Sequence, residues 1–377
     1  MATAPSSGLA EARTMTAPLP FAHIPHPAPA APAVRAAALA DPGFGKVFSD
    51  HMVTIEWTAG QGWHSATLGP RGPLLLDPAA AVLHYAQEIF EGLKAYRRDD
   101  GTITLFRPQA NAARFNASAR RLAMPEMPED LFIEAIRQLV LADRDWFPQV
   151  EGGSLYLRPF MFASEAFLGV RPAQEYKFLV IASPAGNYFK SGAPAVSIWV
   201  SEDYTRAAPG GTGAAKCGGN YAASLVPQAE AIALGHDQVV FLDAAERKWI
   251  EELGGMNLFF VFADGTLVTP PLGGSILPGI TRDSLLLLAA DEGLTVREER
   301  YSIDQWRADA ASGHLTETFA CGTAAVVTAV GKVAGRAGEF IIGAGSPGQM
   351  TQRLRERLVA IQRGTAPDPH GWVMKLT

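Results

Sequence analysis

A single lysine stands in the run Gly210-Gly211-Thr212-Gly213-Ala214-Ala215-Lys216-Cys217-Gly218-Gly219-Asn220-Tyr221, and no other charged residue lies between Pro209 and Gln228. Small neighbours let a bulky group come close to the backbone beside the ammonium. A lysine crowded and partly desolvated in this way gives up its proton more easily and becomes a Schiff-base nucleophile. Taken alone, the same run also reads as a surface loop around a solvated lysine. It is not a phosphate-binding P-loop, because Ala215 precedes the lysine and Cys217 follows it where Gly and Ser/Thr are required.

Four further segments supply complementary chemistry. In Leu277-Pro278-Gly279-Ile280-Thr281 a Pro-Gly turn presents the amides of Ile280 and Thr281 at a helix start, a ready anion site. Thr323, between Gly322 and Ala324, adds a hydroxyl and exposed amides. Arg114, on a segment with several arginines, adds a cation. Glu252 precedes Leu253-Gly254-Gly255-Met256-Asn257, which holds a carboxylate where a small-residue turn meets a strand. Each segment alone has an ordinary reading as a capped helix, a small turn or a solvated charge. Together they form the inventory that pyridoxal phosphate requires: an amine, a phosphate clamp and a partner for the pyridine nitrogen.

Other chemistries find no support. The eight histidines show no metal-ligand spacing, and no G-x-S-x-G elbow occurs. Gly343-Ala344-Gly345-Ser346-Pro347-Gly348 matches a dinucleotide fingerprint by letters, but too little chain follows for a βαβ unit, so it reads as a turn. Net charge is −6 and no basic stripe is present, which argues against nucleic acid. Cys217 and Cys321 allow neither a disulfide framework nor a zinc cluster and suit a reducing compartment such as the cytoplasm. No apolar run is long enough to span a membrane.

The 377 residues and 48% hydrophobic content predict two domains with real cores. Residues 1–40 are rich in Ala and Pro and read as a flexible arm. Short strands are expected at 50–57, 63–68 and 102–106, then helices at 108–122 and 130–146, then strands at 154–162 and 178–182. These make a small α/β domain over 41–183. The Pro- and Gly-rich stretch 184–195 reads as an interdomain loop. The remainder, 196–377, carries strands at 196–200, 239–243 and 258–262 and helices at 222–234, 277–291 and 351–363. Phe319 to Ala325 reads as a small-residue turn.

Several motifs resemble one family. They are His84-Tyr85, Phe90-Glu91-Gly92-Leu93-Lys94-Ala95-Tyr96, Leu155-Tyr156-Leu157-Arg158-Pro159, Lys216 to Tyr221, Glu252 to Asn257 and Leu277 to Thr281. They are similar, in order and over nearly the whole chain from Phe44 to Trp372, to the branched-chain amino acid aminotransferases. The resemblance implies a fold-type IV pyridoxal phosphate enzyme, with a small N-terminal α/β domain and a larger C-terminal pseudobarrel domain, in a homodimer. It implies that Lys216 binds the cofactor covalently, and that Arg114, Ile280, Thr281 and Thr323 hold its phosphate. Tyr221 is then expected at the ring oxygen and Glu252 at the pyridine nitrogen. Tyr85, Phe90, Tyr156 and Arg158 match substrate-pocket positions, with Tyr85 and Tyr156 expected to reach the partner subunit's site. Gly255 and Ala324 match positions whose amides lie near the substrate carboxylate. The implied substrates are leucine, isoleucine, valine and the 2-oxoglutarate/glutamate pair. Two departures stand out. Ala325 and Thr328 replace the C-x-x-C pair of animal mitochondrial members, and Gly255 replaces a threonine of some others. A D-amino acid aminotransferase or aminodeoxychorismate lyase shares the fold-type IV inventory. The aromatic pocket and the Tyr156-x-Arg158 pair favour the branched-chain enzyme. A non-catalytic binder would need neither the lysine nor the carboxylate that draws electrons into the ring.

Overall fold

A computed structural model describes residues 19–150, 152–186 and 195–376. Two nine-stranded sheets organise it. The first runs, in neighbour order, Ala22–His23, Gly62–Pro70, His51–Thr58, Glu175–Ala185, Ser154–Ala163, Leu93–Arg97, Ile103–Phe106 and Val373–Leu376, while Glu88–Phe90 pairs with Ser154–Ala163 off this path. Val53 and Ile55 alternate inward along their strand, as period-2 patterning requires. Helices Pro108–Arg121 and Glu129–Ala142 pack on this sheet. Phe115 meets Phe132 at 5.3 Å and Phe178 at 5.5 Å in its core. The first of these helices buries Ala112, Phe115 and Ala119 together with Asn111, Arg114 and Ser118. Those three polar residues occupy one flank because i, i+3 and i+7 share a helix face.

The second sheet runs Ile250–Leu253, Gln238–Leu242, Val196–Ser201, Val326–Gly335, Leu315–Gly322, Asn257–Phe262, Thr266–Thr269 and Thr295–Glu298. Ile250–Leu253 also pairs with Asn257–Phe262 through Glu252 and Asn257, so six strands close into a barrel. That closure is the C-terminal pseudobarrel that the resemblance implies. Every residue of Asn257–Phe262 is buried, so after Asn257 its pattern is continuously apolar rather than alternating. A third cluster joins the sheets: Tyr96 and Phe106 from the first pack with Phe259, Phe319, Leu354 and Trp372.

Several expectations change. Residues 19–40 are not a loose arm. Ala22–His23 pairs in parallel with Gly62–Pro70, Pro32–Ala40 is a helix, and Leu19, Phe21, Ala38 and Leu39 pack on the first core. The Ala/Pro composition hid this because the docking needs only a few apolar side chains. Strand Glu175–Ala185 enters the stretch assigned to the interdomain loop, and 187–194 lie outside the described residues. The expected unit 196–377 gives up its last strand, since Val373–Leu376 pairs antiparallel with Ile103–Phe106. The helix expected over 222–234 is two helices, Gly218–Ala222 and Leu225–Ala233. Phe319 to Gly322 belong to a strand, leaving only 323–325 as the turn.

Candidate active site

The glycine-rich run around Lys216 is a clamped loop. The Asn220 side chain donates to the Thr212 and Ala215 carbonyls, each at 2.8 Å. A Cβ on Gly213 would lie 2.2 Å from the Ser275 carbonyl oxygen, so only glycine permits that approach. The Lys216 N–H donates to Ser118 Oγ at 2.9 Å, and its carbonyl accepts from the Phe90 N–H at 2.9 Å. Two elements of the first sheet's domain thus hold a loop that leads into the barrel domain.

Lys216 Nζ donates to Tyr221 Oη at 2.7 Å and lies 4.7 Å from the centre of the Phe90 ring. Burial, with the Arg114 charge adding to it, lowers the amine to about 8. Burial raises the Tyr221 phenol to about 12, with the Glu252 charge contributing, so it stays neutral beside the lysine. The Phe90 and Tyr221 rings are 4.9 Å apart, and a Cβ on Gly255 would touch the Tyr221 ring at 3.6 Å.

On the barrel side, Glu252 is buried and its carboxyl is raised to about 7, because desolvation outweighs the Arg206 charge. Glu252 Oε1 accepts from Arg206 and from the Leu277 N–H at 2.9 Å. Among the described residues, Oε2 has only the Asn257 amide at 3.5 Å. Arg206 also donates to the Gly213 and Ser275 carbonyls, at 3.1 and 2.9 Å. One guanidinium therefore ties the lysine loop to the carboxylate.

Arg114 forms a two-pronged pair with Glu91, at 2.7 and 2.9 Å, and donates to the Pro278 carbonyl at 3.1 Å. Burial raises the Glu91 carboxyl, but the Arg114 charge and hydrogen bonds prevail and hold it below its ordinary value. The helix Ile280–Asp291 begins after Gly279 with no side chain capping its first turn. Gly279 lets the turn close on Asn257, whose Oδ1 would lie 2.0 Å from a Cβ there. Ile280, Thr281 and Thr323 line one small cavity with Asn111 and Lys94. Lys94, its amine lowered by burial to about 8, donates to the Ala324 carbonyl at 2.8 Å. Val326, just past this turn, holds φ at 63°, a left-handed backbone that β-branched residues rarely adopt.

The substrate-pocket expectations divide. Phe90, Tyr156 and Arg158 converge: Arg158 donates to Tyr156 Oη at 3.2 Å and lies 4.8 Å from the Phe90 ring centre. Arg158 Nε is buried without a partner among the described residues. Tyr156 is buried in its own chain and contacts the Phe44 ring, so it does not reach outward as expected. Its strand lies inside the sheet, between Leu93–Arg97 and Glu175–Ala185. Tyr85 is exposed, donates to the Leu168 carbonyl and lines a separate open pocket with Cys217 and Gly219. Arg206, Glu91 and Lys94 were missed. Arg206 follows Tyr204-Thr205 with no motif around it, whereas Glu91 and Lys94 carried a signal as charges inside an otherwise apolar stretch.

The donor set fits pyridoxal phosphate: a near-neutral amine, a cation beside an uncapped helix start, and a buried carboxylate with one oxygen poorly satisfied. Residues 88–333 match the family model for amino-transferase class IV. The chain belongs to the class IV aminotransferases. It is 59% identical over 363 residues to a branched-chain-amino-acid aminotransferase of Mycolicibacterium smegmatis, covering 95% of this chain and 99% of that one. The Escherichia coli branched-chain amino acid aminotransferase structure matches with a TM-score of 0.71 and 29% identity, over 86% of this chain and 99% of that one. The T.th. branched-chain amino acid aminotransferase, complexed with N-(5′-phosphopyridoxyl)-L-glutamate, matches with a TM-score of 0.69 and 29% identity, over 86% and 98%.

Proposed function

We propose that this chain is a pyridoxal phosphate-dependent branched-chain amino acid aminotransferase. It moves the amino group between leucine, isoleucine or valine and 2-oxoglutarate. The observation that carries the reading is the Lys216 amine, lowered to about 8 and held by Tyr221 between aromatic rings, with Glu252 buried nearby. The relatives named above support the substrate class, and the phosphopyridoxyl-glutamate complex supports the cofactor.

When bound, pyridoxal phosphate supplies an electron sink for the substrate's α-carbon. Lys216 would hold the cofactor through its amine and, once the substrate amine has displaced it, would move the proton from the substrate Cα to C4′, as base and then acid. An amine near 8 suits both roles close to neutral pH. Tyr221 keeps Nζ in place and would meet the ring oxygen of the bound cofactor. Glu252 would accept the N–H of the cofactor's pyridine, and Arg206 favours its anionic form. Arg114, the amides of Ile280 and Thr281, and Thr323 hold the phosphate. The amides of Gly255 and Ala324 receive the α-carboxylate.

Phe90 and Tyr156 wall the space for a branched side chain. The Arg158 guanidinium, beside Phe90 and Tyr156, answers the side-chain carboxylate of glutamate. The reading includes a homodimer in the cytoplasm. Exposed Tyr85, Leu168 and Val170 lie together as the surface offered to a partner copy, and both cysteines are free thiols.

Mixing the protein with pyridoxal phosphate tests the assignment. A visible absorbance band should form, vanish on addition of L-leucine and return with 2-oxoglutarate. Lys216→Ala should abolish it. A band that ignores L-leucine, or that survives Lys216→Ala, would overturn the reading.

A further inference from the structure

Glu88 lies two residues before Phe90 on the strand Glu88–Phe90, so both side chains leave the same face of the sheet. Phe90 carries its ring to Lys216 Nζ and gives its N–H to the Lys216 carbonyl. Glu88 Oε1 accepts the N–H of Gly218, two residues further along the lysine loop. The two contacts run like rungs of a ladder, with a side-chain carboxylate standing where a strand carbonyl would otherwise be. A Cβ on Gly218 would lie 2.2 Å from that oxygen, so the glycine is what lets the carboxylate close on the backbone. On the other side, the Lys216 N–H is bound to Ser118 Oγ. Lys216 is therefore held through its own N–H, its own carbonyl and the amide two residues on.

We infer that Glu88 is a positioning residue for Lys216: its carboxylate ties Gly218 to the first domain and so fixes where the amine stands against Phe90 and Tyr221. The inference rests on the role proposed for Lys216. Gly218 opens the short helix Gly218–Ala222, and its N–H has no partner within that helix. The Phe90 and Ser118 bonds hold Lys216 itself, and the charge-assisted Glu88 bond fixes the start of the short helix that carries Tyr221. Burial raises the half-buried Glu88 carboxyl, while the Gly218 bond and the nearby Arg158 charge favour its ionised form, which makes the stronger bond.

Glu88→Ala and Glu88→Gln test this, the second keeping an oxygen acceptor at the same reach. In the apoprotein, amide hydrogen exchange of a peptide spanning residues 214–221 should quicken by about tenfold or more in Glu88→Ala, because a charge-assisted bond is lost. Glu88→Gln should restore most of the protection. In the holoenzyme, Glu88→Ala should move the pH midpoint of the Lys216-dependent band. It should also lower kcat by roughly tenfold for the leucine and glutamate half-reactions alike, with KM little changed, as expected for a misaligned amine. Wild-type exchange in Glu88→Ala would overturn the tether. So would quickened exchange with an unmoved midpoint and unchanged kcat, since the contact would then be structural only. If the wild-type band proved independent of Lys216, the reading of Lys216 would fall, while the apoprotein exchange would still decide the tether.

Discussion

The lysine that the chemistry requires should weaken the apoprotein, and Lys216→Met measures by how much. Methionine keeps an unbranched chain of similar length and removes the charge. Lys216 has an ordinary value of 10.5 and is lowered by burial to about 8. The folded protein therefore pays for the ammonium in full below pH 8, since the unfolded chain carries the same charge in water. That gap corresponds to roughly 3 kcal/mol. The bond from Nζ to Tyr221 Oη offsets about 1 kcal/mol of the gain on substitution. At pH 7 the apoprotein of Lys216→Met should thus be more stable than wild type by roughly 2 kcal/mol. As pH rises from 8 to 10.5 the wild-type amine loses its proton in the folded state and then in the unfolded state. The advantage should fade over that window and reverse slightly above it. Tyr221 stays protonated throughout, because its phenol is raised to about 12. Urea unfolding of both apoproteins from pH 6 to 10.5 gives the difference directly. A variant less stable than wild type at pH 7, or a difference that ignores pH, would refute the reasoning.

Two further outcomes follow from contacts outside the expected site. Arg206→Met strips the buried Glu252 of its ion partner and should cost about 3–5 kcal/mol. The carboxyl, already raised to about 7, rises further, so the loss should be larger at pH 8, where it must ionise, than at pH 5; equal losses at both would contradict this. Deleting residues 19–40 strips Leu19, Phe21, Ala38 and Leu39 from the first core and should lower stability by roughly 3 kcal/mol, read as a shifted urea midpoint. An unshifted midpoint would mean that the docked segment contributes nothing.

The sequence alone determined the local and chemical features. Local signals marked the helices Pro108–Arg121, Glu129–Ala142, Ile280–Asp291 and Gln349–Arg363 to within a few residues: Ala-rich composition for the first, an apolar stripe for the second and a Pro-Gly start for the third. Lys216, Glu252 and the Pro278-Gly279 helix start could be singled out because unusual neighbours mark them: glycines around a lone lysine, small residues after a carboxylate; Arg114, one of several arginines on its segment, was distinguished by the resemblance. What tertiary structure decided depends on partners far away in the chain. Arg206 has no local signature, and its importance comes from being folded against Glu252, 46 residues on, and against Ser275. Glu91 meets Arg114 across 23 residues, and Lys94 meets Ala324 across 230. The same holds for the strands. Val373–Leu376 is short, and only pairing with Ile103–Phe106 makes it part of the first sheet. Residues 19–40 read as a tail because Ala and Pro dominate them without a periodic face, yet a few of their larger side chains find a core to cover. Periodicity and composition report what one segment prefers. Ion pairs, barrel closure and docked edges are set by which segments meet, and that is a property of the whole packed chain.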